Sequence, residues 1–589
     1  MKQSFKPRLL TLLMLAALSG SIHSAYSANL GPQVLKDTSK DYSGDTISDN
    51  NGNDPSAVDI SGTGNYTFKN VVLNGFANYI ISINPLLEAP VLNIHDSSSN
   101  VDVSDSVINI IKNQSPSLHA VDIRNSSGHY DFTRVKIIAD GIDALDGINI
   151  DNTGNTSTHL TLTDSIISFD KVTQRVGSRG VVSTGSADIT VSGSSVSGKT
   201  IGIGLFTKGD NQQSNLNIEK GSVINASGQG GSGLDIGALG GSNNNSHARI
   251  TVSDSTISGY MHGIYIHSNE QIPSQGDVVI NLNKSAVQGN TSSQTQDRYG
   301  SAVLVQRKNA SLNILNGSTL TGKNGVAVYT DDNAAVNIVA DNSALNGNVI
   351  NKGITNISLA SNASWTGTMQ NVTGMSLASG SALNLTGTST IGTLTNGGTV
   401  SVANGKNVGN TLTVGNYAGN NGTLVFNSTL GGNGSATDKM VVTGNTSGTT
   451  NVSVNNIGGT GAATLDGIEL ISVGGKSDGT FTQKGRIVAG AYDYHLLRGQ
   501  GNNGKNWYLD SQKVDPGPGP GPDPKPTPVD HVVRPEAGSY IANQAASSMF
   551  LTSLHDRAGE NRYMNVLDNE GNVTSLWLRQ VGNHNRFRD

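Results

Sequence analysis

The chain contains no cysteine in 589 residues, which excludes a disulfide framework. Aromatic residues make up 5% and hydrophobic residues 35%, too little bulky apolar material for a series of conventional cores. Charged residues are scarce as well, at 14%, and Val, Ile and Leu recur in regular alternation, so the composition is not that of a disordered chain. The net charge of -6 carries no basic footprint, and neither nucleic acid nor an anionic membrane surface is expected as a partner. No HExxH zinc motif, GDSGS-type serine-protease motif or esterase-type GDS motif near the mature N-terminus is present. No EF-hand loop or nonapeptide calcium repeat occurs either, so neither a metal nor a cofactor is expected.

What the chain has in quantity is glycine, 73 residues of it, together with short alternating apolar segments. Between residues 100 and 345 one pattern recurs about every 30 residues: apolar, any, apolar, a few polar residues, apolar. Copies begin at Val101 (VDVSDSVIN), Tyr130 (YDFTRVKII), Leu160 (LTLTDSIIS), Ile189 (ITVSGSSVS), Leu216 (LNIEKGSVI), Ile250 (ITVSDSTIS), Ile280 (INLNKSAVQ) and Leu312 (LNILNGSTL), with a looser one at Val336. A second short strand lies in each unit, as in GINI at Gly147, GLDI at Gly233 and GIYI at Gly263. A period of two within segments and of about 30 between them predicts an all-β solenoid, a right-handed parallel β-helix with two or three strands per coil. Its core is one side chain deep, which accounts for the many small turn residues and the few aromatics. From about residue 350 the units shorten, and smaller coils of the same helix are expected.

The N-terminus carries Lys2, Lys6 and Arg8, the apolar run Leu9 to Leu18, and then small residues. Residues 1–27 are therefore expected to be a secretory signal peptide, with cleavage after Ser27 favoured over cleavage after Ala28, which would place Tyr26 where a small side chain is wanted. At the far end DPGPGPGPDPKPTPVD cannot build helix or sheet, and residues 515–534 read as an extended spacer. Residues 535–563 read as a helix kept thin by Ala542, Ala545, Ala546, Ser547 and Ser548. Residues 564–589 end on an amphipathic strand in which Leu576 and Leu578 alternate with Trp577 and Arg579.

From Leu412 onward the pieces NYAGNNGTL, LGGNGSATDKMVVTG, GGTGAATLDGIELI, VAGAYDYHL and NWYL follow one another in one order. In these the chain resembles the classical, type V autotransporters, with an AIDA- and pertactin-like passenger. The resemblance implies a β-helix passenger over residues 28–411 and a capping, autochaperone module over residues 412–514. Tyr492, Tyr494, Trp507 and Tyr508 would supply the module's aromatic packing. It further implies that the helix at 535–563 threads the pore of a translocator barrel and that 564–589 is the first strand of an outer-membrane barrel that this sequence carries only in part. The absence of cysteine then has two readings, chance or the need to cross a second membrane unfolded.

Function follows the same resemblance. An exported adhesin-like rod is expected, attaching to host or abiotic surfaces or to neighbouring cells, with self-association, autoaggregation and biofilm as consequences. Its partners would also be the outer membrane and the barrel-assembly machinery, and its place the cell surface, or the periplasm if the barrel is truly truncated. In the truncated case the product is non-functional. The catalytic alternative is a polysaccharide lyase or hydrolase, for which IADGIDALDGINIDN supplies Asp140, Asp143, Asp146 and Asp151. Asp is also favoured in turns, and Asp140 and Asp146 are expected there. His262 and His267, which flank a repeat strand, are expected as exposed turn histidines.

Overall fold

The computed structural model describes residues 28–49, 56–77, 90–113, 119–139, 145–152, 156–171, 177–238, 245–268, 276–292 and 298–511, and the helical positions 536, 539, 540, 542–544 and 546. Ser27, Asp140, Asp143, Trp577 and Arg579 lie outside the described residues, as do the spacer and the proposed barrel strand.

Up to Met369–Gln370 each coil has three short strands. In one, Arg179–Gly185, Ala187–Ser192 and Ser195–Gly198 follow one another, and the next repeats them as Ile201–Thr207, Gln213–Glu219 and Val223–Ala226. Corresponding strands pair in parallel, with Val181 opposite Ile203, Ile189 opposite Leu216 and Val196 opposite Ile224. The stacking produces a first sheet of 11 strands, a second of 13, and a third that runs on into the C-terminal region. This is the parallel β-helix expected from the alternation, with the upper of the two strand counts.

Inward positions form continuous columns. Val181, Ile203, Leu234, Ile264, Val303, Val328 and Val349 occupy one, all at 0–1% exposure. Several of the scarce aromatics stand in the same lumen, and in two columns they alternate with smaller residues from coil to coil. Tyr66, Val101, Tyr130 and Leu160 stack in register, and so do Phe68, Val103, Phe132 and Leu162. The alternation of bulk suits a narrow, close-packed column.

The polar residues between the third and first sheets build the corner. Asp105, Asp164, Asp254 and Lys284 have φ of 51°, 49°, 49° and 50°, left-handed values that short polar side chains tolerate best. Each is followed by a buried serine, Ser106, Ser165, Ser255 and Ser285. The serines form a ladder along the axis: the amides of Ser165, Ser194, Ser222 and Ser255 donate to the hydroxyl oxygens of Ser194, Ser222, Ser255 and Ser285 at 2.9, 3.1, 3.2 and 3.2 Å. Each hydroxyl also donates to a carbonyl, as Ser222 does to Glu219 at 2.6 Å. A methyl there would leave a buried amide without a partner, at a cost of about 1–3 kcal/mol, so the corner selects serine chemically and not only as a turn former.

Shortening of the coil is visible in the hydrogen bonds. The inter-coil step is 30 residues between Val135 and Ser165 and 18 between Ser358 and Ser376. The second sheet ends at Met369–Gln370, after which the strands lengthen to Thr411–Ser428 and Thr446–Asn456. The end of the solenoid is closed by antiparallel strands: Trp507–Asp510 pairs with Ile468–Val473 on one side and Tyr492–Arg498 on the other. That change of direction covers edges that a parallel coil would leave open.

Candidate functional site

On the outer face of the second sheet, strands Ile201–Thr207, Ser232–Ala238, His262–His267, Val303–Gln306, Val326–Thr330 and Asn348–Asn351 lie side by side. Because alternate residues point outward, register places Gly204, Asp235, Tyr265, Leu304, Tyr329 and Ile350 in one outer row. Leu304, Val326, Tyr329 and Ile350 form a hydrophobic cluster separate from the lumen, with Tyr265 packed against it. Leu304, Val326, Tyr329 and Ile350 are buried there although they lie outside the lumen, which sets this stretch apart from the polar rows beside it.

A hydrogen-bonded chain crosses the same face. His267 Nε2 is 2.9 Å from Asp235 Oδ1, and its ring stacks on Tyr265 with centroids 4.4 Å apart. The Tyr265 hydroxyl donates to Gln306 Oε1 at 2.5 Å, Gln306 Nε2 donates to Asp331 Oδ2 at 2.6 Å, and Arg298 stands 3.7 Å from that carboxylate. Burial and the Asp235 charge push the Tyr265 hydroxyl up to about 12. Both carboxylates of this network, Asp235 and Asp331, thus already have a partner. Sequence reading missed this network, although Asp235 and Tyr265 are the variable letters of the GLDI and GIYI elements.

His262 and His267 are not exposed turn residues. His262 is 2% exposed, with Nδ1 3.1 Å from Ser301 Oγ and its ring 6.2 Å from that of Tyr299; His267 is a strand residue on the outer face with 23% of its side chain exposed. The turn reading failed because the covering groups arrive from the following coil. Burial, helped by the Arg298 charge, holds the His262 imidazole down to about 4 from 6.5. A folded value below the unfolded one means that the unfolded chain takes up the proton first. This contribution is therefore complete above pH 6.5 and is lost as pH falls towards 4, amounting to roughly 3 kcal/mol. Urea unfolding at pH 7 and pH 4.5 should show a larger acid loss in the wild type than in His262→Gln; equal losses would remove His262 as the cause.

Asp146 is not a turn residue either. It opens strand Asp146–Asn152 and is fully buried, its carboxylate meeting Arg179 Nε at 2.5 Å and Nη2 at 2.8 Å and His119 Nδ1 at 2.8 Å. Burial pushes its pKa up, but the bonds and charges of His119 and Arg179 outweigh that and leave it lowered. A carboxylate without accessible surface, held by Arg179 and His119, has no route to a substrate. Asp151 is half-buried in the same strand, in register with Arg124 and Thr184.

The four aromatic residues of the C-terminal module separate into two kinds. Tyr494 is fully buried; its hydroxyl accepts from the Ala462 amide and meets the carbonyls of Gly431 and Ala462, each at 3.0 Å. Trp507 is 8% exposed, lies edge-on to Phe481 at 5.3 Å and beneath Arg498 at 5.0 Å. Tyr492 is half-buried against the core, while half-buried Tyr508 donates to Glu469 Oε2 at 3.0 Å.

Residues 389–496 match the family described as Autochaperone Domain Type 1. The chain is 53% identical over 142 residues to the uncharacterized protein YuaQ and 53% identical over 147 residues to the uncharacterized protein YdeU, both of Escherichia coli strain K12. It is 38% identical over 131 residues to the autotransporter adhesin AIDA-I of Escherichia coli. These matches take up 24%, 24% and 22% of this chain and span 10%, 32% and 9% of the respective relatives.

Proposed function

We propose that the chain is a type V autotransporter whose β-helix is a surface-displayed, adhesin-like passenger. The observation that carries this reading is the position of the autochaperone match, at the closed end of a long solenoid whose outer faces are ordered ladders of side chains. The relative named an adhesin supports the same reading, and it argues against catalysis. In this reading residues 1–27 direct export and are removed between Ser27 and Ala28, and residues 412–514 cap the rod. The spacer at 515–534 hands over to the helix at 535–563 in the translocator pore, and residues 564–589 open the outer-membrane barrel. The helical state of the described positions between 536 and 546 supports that order. The partners are host or abiotic surfaces and neighbouring cells, engaged by many weak contacts in register along the rod.

The test is display of residues 1–563 on a complete translocator barrel in a non-aggregating bacterium. Faster settling or retention on a surface, unchanged when Asp143 is replaced by Ala, is the expected result. Release of reducing or unsaturated sugar ends that Asp143→Ala abolishes would replace the adhesin reading by the polysaccharide-active one. No change in settling or attachment would remove it.

A further inference from the structure

The closing module makes a contact beyond its own end. Strands Ile487–Ala489 and Tyr492–Arg498 pair antiparallel, with Val488 opposite Asp493, and the pairing sets the buried Asp493 beside Arg486. Arg486 Nε donates to Asp493 Oδ2 at 2.7 Å. The other two nitrogens of the guanidinium turn to Glu536, where Nη1 and Nη2 donate to Oε1 and Oε2 at 2.6 and 3.2 Å. Glu536 is the first described position of the helical stretch, 50 residues on, and the Pro- and Gly-rich segment 515–534 lies between them in sequence.

We propose that the closed end of the rod is a docking seat for the helical segment that begins at Glu536, with Arg486 as the contact and Asp493 as the positioning residue. What the contact does on a cell rests on the reading of residues 535–563 as the pore helix. A guanidinium that meets both carboxylate oxygens fixes direction as well as distance, which a point-charge ammonium does not. With Nε already held by Asp493, it is aimed before Glu536 arrives. The intervening segment makes the encounter intramolecular, so a weak contact fills without a high protein concentration. Fully extended, residues 515–534 would hold their ends about 60 Å apart. Docking makes them a loop instead, and the base of the rod stands at its anchor. The seat exists only when Val488 and Asp493 are paired, so it forms together with the closing hairpin and couples docking to completed folding. Arg486 and Glu536 keep 43% and 46% of their side chains exposed, so salt weakens the contact and it opens and closes reversibly.

Distance measurement between two nitroxide labels tests the seat in the full chain, whose lack of cysteine allows labelling at Lys484→Cys and Tyr540→Cys alone. Both positions are exposed. The expected result is a narrow short-distance population beside a broad one, their ratio falling about three- to fivefold in Glu536→Gln, in Arg486→Gln and in molar sodium chloride. Arg498→Gln, which changes a guanidinium of the same module bonded to Ser477 instead, should leave the ratio as it is. Glu536 lies outside the module, so its variant does not act through misfolding of the hairpin. A single broad distribution in the chain with Arg486 and Glu536 intact, or a short-distance population that neither Arg486→Gln nor Glu536→Gln reduces, overturns the proposal. The measurement needs no translocator barrel, so failure of the display reading leaves its result standing.

Discussion

Replacing Arg179 by Met should lower the unfolding free energy of the passenger by about 3–5 kcal/mol, the usual cost of stripping one partner from a buried ion pair. The Asp146 carboxylate has no exposed surface and rests on Arg179 and His119 alone among its ion-pair partners. Without the guanidinium it must be either charged without its arginine partner or protonated, and both cost free energy in the folded state alone. The companion variant Arg179→Met/Asp146→Leu removes both charges and should regain most of the loss, since an apolar pair has no desolvation penalty. Urea denaturation of the wild type, the single and the double variant decides the matter. A single-variant loss under about 1 kcal/mol, or a double variant no better than the single, would show that the cluster is not a buried ion pair in energetic terms.

Tyr494→Ala should cost a similar amount, about 3–5 kcal/mol, through the cavity left by a fully buried ring. Three main-chain groups bonded to its hydroxyl, from Gly431 and Ala462, lose their partner at the same time. Because a solenoid is stabilised through nearest-neighbour interfaces, the damage should appear first as fraying of the closed end. Limited proteolysis should then cut within residues 460–511 while the coils before residue 350 stay protected. Tyr508→Ala, which removes a half-buried ring bonded to Glu469, should leave proteolysis unchanged. Equal sensitivity in the two variants would mean that the module's aromatics act as a general apolar mass instead of through the Tyr494 contacts.

The solenoid was legible because its signals are local. Alternation within a strand, a few polar residues at the corner and a repeat near 30 residues all lie within one coil, and pairs such as Leu160 with Ile189 follow from aligning the copies. What sequence could not show is which side chains the third dimension brings together. Asp146 reads as a turn residue beside Gly147, and only its contact with Arg179, 33 residues on, explains its burial. His262 reads as a surface residue beside Gly263, and only Ser301, 39 residues on, shows it to be enclosed. The aromatic residues of the closing module were picked out by resemblance, yet that resemblance could not distinguish Tyr494, which anchors three main-chain groups, from Tyr508, which faces outward.

The hydrogen bonds that join coil to coil run along the rod, as the serine ladder shows most plainly. A pull on the tip of such a rod therefore loads these bonds head-on, one coil at a time, and not as a sheet sheared all at once. With no cysteine to lock one coil to another, the structure peels in small increments of length and force. Along its axis such a solenoid meets a load one coil interface at a time.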